Sequence, residues 1–163
     1  MTQRKNTSRK DQIKFPLLEV YLHMFRIMAI DYGTKRTGLA VTDPSGIIAT
    51  PLDTVPSGKI IEFIRKYIEK EKLSMFVVGY PRKMDNTASP AAIYVDRFLI
   101  NLKKNFPAIS VELMDERFTS KIAKESMLMD GSKKSDRMRK ELVDMRSAVL
   151  ILQSYMEMKK HQK

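Results

Sequence analysis

The stretch RIMAIDYGTKRTGLAVTD, residues 26–43, has an apolar first half that ends in an acid, which glycine soon follows. The first half is short and apolar, which is typical of a buried strand, and TGLAVTD resumes that pattern after a turn. We therefore predict a β-hairpin whose first strand reaches the surface at Asp31. Gly33 and Gly38 would let another backbone, or a phosphate, approach closely.

Alternating strand and helix patterns follow the hairpin. A third strand is predicted over residues 47–55, where Pro51 indicates an edge position or a bulge. Ser57 is predicted to cap a helix over about residues 59–71. The next segment, SMFVVGY, is apolar throughout, which predicts a central strand buried on both faces.

The C-terminal half continues the same alternation. A second helix is predicted from Pro90, followed by the strand ISVELMDE, which ends in acid as the first strand does. Two more helices are predicted, one from Thr119 or Ser120 to Met129 and one from about Arg139 to Lys159, with GSKKSDRMRK as a basic linker between them. This order predicts a mixed α/β sheet with helices packed on its faces.

Length and composition indicate one domain with a polyanionic partner. The chain has 163 residues, 43% of them hydrophobic, which is enough to bury a core. Lys and Arg number 30 against 19 Asp and Glu, so the net charge is +11 and the pI is near 9.8. This excess favours nucleic acid as the partner, although a generally lysine-rich proteome would also produce it.

The composition also restricts the chemistry. Cysteine is absent, so disulfides, thiolate catalysis and cysteine-ligated zinc are excluded. The two histidines, His23 and His161, lie near the chain ends, which argues against a histidine triad or a histidine-ligated zinc site. Carboxylates are therefore the expected metal ligands, and they suit Mg²⁺ or Mn²⁺.

Residues 1–23 begin basic and polar and contain no apolar segment typical of a secretory signal. We interpret them as a disordered or loosely attached extension of a domain that spans residues 24–163; an organellar transit peptide is a weaker alternative because the segment contains Asp11 and Glu19. No apolar stretch reaches the ~20 residues that span a bilayer. We expect a cytoplasmic protein without membrane association.

Acids at two strand ends are candidates for chemistry. Asp31 has a simpler interpretation as a turn-forming residue, but its apolar neighbours and nearby glycines favour a site. At the second strand end, Asp115 and Glu116 must point to opposite faces, so only one of them shares a face with Asp31, and we favour Glu116. Arg117 is then available as a salt-bridge partner for Asp115 or as a phosphate ligand.

Asp144 is the most informative acid because it lies on a helix face that should be apolar. At 3.6 residues per turn it shares that face with Ala148, Ile151 and Tyr155. A carboxylate there is costly unless it is hydrogen-bonded, paired or bound to a cation. Placement near the helix dipole is the alternative explanation.

Three separated acids in a basic chain fit a carboxylate cage for one or two divalent cations. The acids are Asp31, Glu116 and Asp144. Clustered like charges repel one another, and a cation makes the cluster tolerable. Two metals about 4 Å apart would activate water and stabilise the leaving oxygen of a phosphodiester.

Four motifs resemble those of the YqgF/RuvX family, in the expected order: AIDYGTKRTGLAV, VVGYPRKMDNTASPAA, MDERFTS and ELVDMRSAVLILQSYM. This family is described as Holliday-junction-resolvase-like and as nucleases of precursor 16S rRNA, with a ribonuclease H-like fold. The resemblance implies three antiparallel strands followed by parallel ones, with helices on both faces. It also implies that Asp31, Glu116 and Asp144 are catalytic metal ligands and that Asp136 is a possible auxiliary.

Two departures from the family pattern bear on this interpretation. The loop GYPRKMDNTAS lacks the family's usual Leu-Pro pair and further glycine, and residues 145–147 replace common alanines. The first departure affects the expected substrate contacts and the second affects local packing. Neither removes a carboxylate.

Basic residues cluster near the predicted site and support nucleic-acid binding independently. Such contacts with phosphates give salt-dependent and largely sequence-independent affinity, although a solvated charged loop is the simpler interpretation of each cluster alone. The candidates are Lys35, Arg36, Arg82, Lys83, Arg117, Lys133, Lys134 and Arg137, with Arg139 and Lys140 nearby.

These observations predict a metal-dependent nuclease, a monomer or homodimer, that acts on structured nucleic acid. The resemblance implies that it processes the 5′ end of precursor 16S rRNA, with Holliday-junction resolution as the alternative. Two other function classes remain open. Phosphotransferases of the sugar-kinase and actin kind share the Asp-x-Gly-x-x-x-x-Gly pattern, but this chain is too short for their two domains. A basic module could also bind nucleic acid in transcription or ribosome assembly without cleaving it.

Overall fold

The structure of this protein is a computed structural model. It describes residues 25–83, 89–115, 117 and 136–161, and for residues 136–143 it describes the backbone alone. The predicted N-terminal extension and the predicted helix that ends at Met129 lie outside these residues. Glu116, Lys133 and Lys134 lie outside them as well.

The described residues form one five-stranded sheet, in the order β3-β2-β1-β4-β5. The first three strands are antiparallel, while β4 runs parallel to both β1 and β5. This change from antiparallel to parallel strands is the one that the family resemblance implies. The strands are β1 (Arg26–Tyr32), β2 (Arg36–Thr42), β3 (Ala49–Pro56), β4 (Leu73–Tyr80) and β5 (Ser110–Asp115).

Three helices are described: α1 (Ile60–Ile68), which follows a 3₁₀ turn, α2 (Ala92–Asn105) and α3 (Asp136–Lys160). The helix α3 begins earlier than the sequence predicts. Residues 136–138, which we assigned to the basic linker alone, are helical. The linker is rich in Arg and Lys, which have good helix propensity, so its composition is compatible with a helix.

The two faces of the sheet carry separate halves of the core because strand side chains alternate. Met28 and Ile30 of β1 pack on one face, in the cluster that includes buried residues of α1 and α2. Ala29, which lies between them, faces the other way and packs with α3 at Ala148 and Ile151. Helices therefore cover both faces, as predicted.

The third strand is an edge strand with an irregularity at the predicted proline. Leu39 pairs with Asp53 and Ala40 pairs with Pro51, so Leu52 is an extra residue in β3. Proline has no N–H group for a ladder hydrogen bond, and edges and bulges tolerate this. The predicted edge position of Pro51 and the predicted bulge are both confirmed.

The predicted helix-capping role of Ser57 is wrong. Its side chain makes no cap hydrogen bond, and the residue is 7% exposed. Its hydroxyl instead lies 2.6 Å from the carbonyl oxygen of Gly33, to which it donates, and 2.9 Å from Oγ1 of Thr37. Ser57 therefore joins the β1–β2 turn to the start of α1.

Within the described part of the chain, no helix combines the length and the apolar character that crossing a membrane requires.

Candidate functional site

Several candidate residues lie at one edge of the sheet. Because β1, β4 and β5 are parallel, their C-terminal ends meet at that edge, and the antiparallel β2 begins there. Asp31, Tyr80 and Asp115 lie at or next to the three C-terminal ends, and Arg36 begins β2. Residues far apart in sequence are thereby brought to a common edge.

Asp31 lies on the α3 face of the sheet between two glycines. It shares this face with Ala29, and its partner across the hairpin is Gly38. On its other side, Gly79 directly follows Val78, which is the β4 partner of Ile30. Neither neighbour carries a side chain, so the sheet leaves space around the Asp31 carboxylate.

The main chain of α3 fills part of that space at Asp144. A Cβ atom added at Gly38 would overlap the main-chain carbonyl of Asp144. The predicted close approach at this glycine therefore occurs, and the approaching backbone is the protein's own. Asp31, paired with Gly38 on β2, and Asp144, packed on Gly38 from α3, thus meet at the same residue.

The helix face of Asp144 has the predicted character. Ala148, Ile151 and Tyr155 are buried, while Arg146 and Glu157 on the opposite side are exposed. Since α3 begins at Asp136, Asp144 lies in the third turn. The helix dipole acts mainly within the first turn, so it does not explain this carboxylate.

Arg36 forms an ion pair with Asp144 across the site. Its Nε lies 3.3 Å from Oδ2 of Asp144, and the two side chains are 33% and 30% exposed. Both charges are thus partly withdrawn from water, where an ion pair is stronger than at a fully exposed surface. The arginine predicted to contact phosphate is here the partner of a predicted metal ligand.

The β1–β2 turn that carries Lys35 and Arg36 is fixed by hydrogen bonds. The N–H of Gly33 donates to the carbonyl of Arg36 at 3.1 Å, and a Cβ at Gly33 would lie only 2.5 Å from that oxygen. The N–H of Ser57 donates to the carbonyl of Lys35 at 3.1 Å. Sequence reasoning missed this contribution of Ser57, because residue type alone does not reveal a partner so far upstream.

Asp115 is held by Arg117 rather than by the site. Met114 packs on the α3 face, so Asp115 points to the opposite face, as strand alternation requires. Nη2 of Arg117 lies 2.6 Å from Oδ2 of Asp115, and its Nη1 donates to the carbonyl of Lys83 at 3.1 Å. The Arg117 side chain, by donating to the carboxylate, lowers the pKa of Asp115 below its ordinary value.

The remaining basic candidates differ in how far the structure describes them. Lys35, Arg82 and Lys83 are exposed at the site edge, and the Arg82 guanidinium lies 5.9 Å from the centre of the Tyr80 ring. Arg137 and the possible auxiliary Asp136 lie in the first turn of α3, with side chains outside the described atoms. The two linker lysines are outside the description altogether.

The structure brings together two of the three predicted acids. Asp31 and Asp144 meet at Gly38, and Glu116 directly follows the last described residue of β5. Among the residues that the structure describes, no group of three His, Asp or Glu residues is positioned to hold a metal.

Comparison with known proteins identifies close relatives. The sequence profile of the RuvX family, described as Holliday junction resolvase, matches residues 25–158. A protein of Phocaeicola vulgatus is 51% identical over 138 residues, which cover 85% of this chain and 99% of the relative. A protein of Parabacteroides distasonis is 49% identical over 139 residues, with the same coverage of 85% and 99%. Both relatives carry the provisional name of pre-16S rRNA nuclease.

A solved structure supports the fold assignment. Thermus thermophilus RuvC in complex with a Holliday junction substrate matches with a TM-score of 0.53 at 17% identity, over 83% of this chain and 96% of RuvC. At this identity the likeness bears on the fold alone. It confirms the predicted ribonuclease H-like architecture.

Proposed function

This chain belongs to the RuvX family, and we propose a function on that basis. We propose that it is a divalent-metal-dependent nuclease that hydrolyses phosphodiester bonds in structured RNA. The family match confirms the resemblance first recognised in the four sequence motifs. We propose precursor 16S rRNA as the substrate, because the most similar relatives are named for it. Such processing would occur in the cytoplasm.

The single observation that carries this proposal is the convergence of Asp31 and Asp144 at Gly38. One carboxylate comes from a strand end and the other from a helix that packs across the same strand pair. Their chain segments are more than a hundred residues apart, so no local turn requires the two acids to meet. Like charges brought together in this way are costly unless a cation accompanies them.

The residues present fit a divalent cation. Asp144 already has the Arg36 guanidinium as a cationic neighbour, which indicates that this position accepts positive charge. Carboxylate oxygens are hard ligands of the kind that Mg²⁺ and Mn²⁺ prefer. When bound, such an ion supplies an activated water and stabilises the leaving oxygen of the phosphodiester.

We propose Glu116 as the third carboxylate. In β5, Met114 faces α3, whereas Asp115 faces away and forms an ion pair with Arg117. Strand alternation continued by one residue would bring position 116 to the face of Asp31. The Arg117 ion pair favours this assignment, because it leaves Asp115 committed to the other face.

The basic residues at the same edge would hold the nucleic acid through its phosphates. Lys35, Arg82 and Lys83 are exposed there, and Arg117 fixes the main chain at Lys83 through its bond to that carbonyl. We propose that Lys133, Lys134 and Arg137 extend this surface. Contacts of this kind make affinity fall steeply with salt and depend little on sequence.

Branched DNA is the second candidate substrate. The family description names Holliday junction resolvase, and the matched fold is that of RuvC, solved with a Holliday junction. The names of the most similar relatives favour RNA over this alternative. A carboxylate site with phosphate contacts can act on either backbone.

A cleavage panel tests the proposal. Precursor 16S rRNA and a four-way DNA junction are each incubated with the full chain and Mg²⁺ or Mn²⁺, using the wild type, Asp144→Asn and Glu157→Gln. Glu157 is a matched control because it lies exposed on the same helix, away from the sheet. We expect RNA cleavage by the wild type and the Glu157 variant and its loss in Asp144→Asn, with an unchanged circular dichroism spectrum.

Three outcomes would contradict the proposal in different ways. Full activity of Asp144→Asn would remove this residue from the site. Cleavage of the junction alone would replace RNA by branched DNA as the substrate. Binding of either nucleic acid without any metal-dependent cleavage would favour the non-catalytic binding function.

A further inference from the structure

We propose that Arg36 couples the binding of metal and nucleic acid: its guanidinium pairs with Asp144 and is released to a substrate phosphate once Asp144 ligates a cation. This inference rests on the proposed nuclease function. It goes further by assigning one side chain two successive partners and by predicting a measurable linkage between two ligands.

Arg36 and the proposed cation would compete for the carboxylate of Asp144. The Nε of Arg36 lies 3.3 Å from Oδ2 of Asp144, so Arg36 contacts a carboxylate that is also a proposed ligand of the cation. A guanidinium and a divalent cation on the same carboxylate repel each other at short range. Arg36 must therefore weaken its contact when Asp144 becomes a ligand.

The backbone of Arg36 is fixed, while its side chain can reorient. Its carbonyl accepts the Gly33 N–H at 3.1 Å, and its Cα pairs with Pro56 in the β2–β3 ladder. The Ser57 N–H holds the adjacent Lys35 carbonyl at 3.1 Å. The side chain itself is 33% exposed, so the guanidinium can turn toward solvent without unfolding the turn.

A phosphate partner for Arg36 is expected at this edge of the sheet. Arg36 stands beside the exposed Lys35, and the exposed Arg82 and Lys83 lie at the end of the neighbouring β4. A guanidinium matches the geometry of phosphate oxygens through parallel hydrogen bonds. Released from Asp144, Arg36 would add to the charge that faces the nucleic-acid backbone.

Arg117 shows why Arg36 is suited to this exchange. Arg117 also pairs with an aspartate, but its partner Asp115 points to the opposite face from Asp31 and its Nη1 is bound to the Lys83 carbonyl. A cation at the proposed site would not compete for Asp115. The two arginines thus differ in what binding of the metal would release.

Binding linkage gives the expected behaviour. Any factor by which metal tightens nucleic-acid binding must equal the factor by which nucleic acid tightens metal binding. Part of this coupling arises from charge neutralisation at the acids and does not need Arg36. The contribution of Arg36 is the part that disappears when the side chain can no longer pair with either partner.

Titration calorimetry with Mn²⁺ on the full chain tests the inference, with and without a phosphorothioate RNA of the 16S leader that resists cleavage. The variants are Arg36→Gln and Lys35→Gln. Lys35→Gln removes the same charge and a proposed phosphate contact from the same turn, so comparison with it separates these losses from the loss of the Arg36–Asp144 ion pair. Thermal unfolding of each variant checks that the fold is retained.

We expect Arg36→Gln to bind Mn²⁺ about fivefold more tightly than the wild type without RNA, because the competing ion pair is gone. We also expect RNA to tighten Mn²⁺ binding less in this variant than in the wild type or in Lys35→Gln. Equal Mn²⁺ affinities in the wild type and Arg36→Gln, or equal changes in both variants, would overturn the inference and leave the nuclease proposal standing. Absence of Mn²⁺ binding by the wild type would overturn both.

Discussion

Two aspartates end the strands of the same hairpin, and the structure uses them differently. Asp43 follows β2, and its carboxylate accepts hydrogen bonds from the N–H groups of Ile47 and Ile48 at 2.8 and 2.7 Å and from the N–H of Ser45 at 3.1 Å. The Ser45 hydroxyl also donates to it. Asp31, near the end of β1, instead faces Gly38 and the main chain of α3.

An acid at a strand end is therefore not in itself a sign of function. All of these donors to Asp43 lie within five residues of it, so this aspartate closes its own turn, as aspartate commonly does. The environment of Asp31 is built from an element at the other end of the chain. The informative property is the sequence distance of the groups that surround the carboxylate.

Neutralising each aspartate in turn should give the largest difference between the two sites. Asp31→Asn should reduce metal-dependent RNA cleavage by about a thousandfold, which corresponds to about 4 kcal/mol of transition-state stabilisation, and should leave the fold intact. Asp43→Asn should keep full activity and lower the free energy of unfolding. Cleavage rates and urea unfolding of both variants are the measurements, and equal losses of activity would refute the distinction.

A smaller effect is expected from the glycine on which Asp144 packs. Gly38→Ala should lower the free energy of unfolding by about 2–3 kcal/mol, because the new methyl group overlaps the rigid main chain of α3. It should also weaken Mn²⁺ binding by shifting Asp144. Gly58→Ala is the control, since a Cβ there meets nothing within 4 Å, and its effect should stay within about 0.5 kcal/mol.

Urea unfolding and Mn²⁺ titration of the two glycine variants provide these values. A Gly38→Ala protein as stable as the Gly58→Ala protein would mean that α3 does not press on β2 at this point in solution. The site would then depend less on close packing than the comparison of the two aspartates implies.

The smallest effect concerns acid stability. The hydrogen bonds to Asp43, chiefly from the Ile48 N–H, lower its pKa from 3.8 to about 2. Because the pKa is lower in the folded state, ionised Asp43 stabilises the fold above the unfolded pKa, and this stabilisation is lost as the pH falls toward about 2. Asp43→Asn should therefore lose less stability than the wild type on acidification.

Urea unfolding of the two proteins from about pH 6 down to about pH 2.5 measures this difference. The gap in free energy of unfolding should be constant at the upper end and should narrow below about pH 4. The pKa of Asp115 is also lowered, but it is common to both proteins and cancels in the difference. A gap that does not change with pH would show that Asp43 acts without its charge.

Features with short-range periodicity could be predicted from the sequence. Short apolar runs correctly predicted the strands around Asp31, and helical spacing correctly put Asp144 on the packed face of α3. These patterns depend on residues that are close in sequence and repeat at fixed intervals. The ribonuclease H-like arrangement itself came from the resemblance to a family.

Features that depend on a distant partner could not be predicted. Ser57 has the residue type of a helix cap, yet its hydroxyl bonds to Gly33 and Thr37 on the preceding hairpin. Arg36 was expected to contact phosphate, and its pairing with Asp144 appears only when α3 packs on the sheet. In each case the side chain can bond to several partners, and tertiary packing selects one.

Asp144 lies in the third turn of a 25-residue helix whose C-terminal half is anchored in the core. Leu152 is fully buried, the Tyr155 hydroxyl lies 3.0 Å from Sδ of Met75, and Lys159 pairs with Glu112 at 3.1 Å. A small rotation of α3 at this anchor would displace the Asp144 carboxylate, which lies about three turns from Tyr155. Substitutions in α3 several turns from Asp144 would therefore reduce the cleavage rate. Distance from the scissile phosphate would then be a poor guide to which residues the reaction needs.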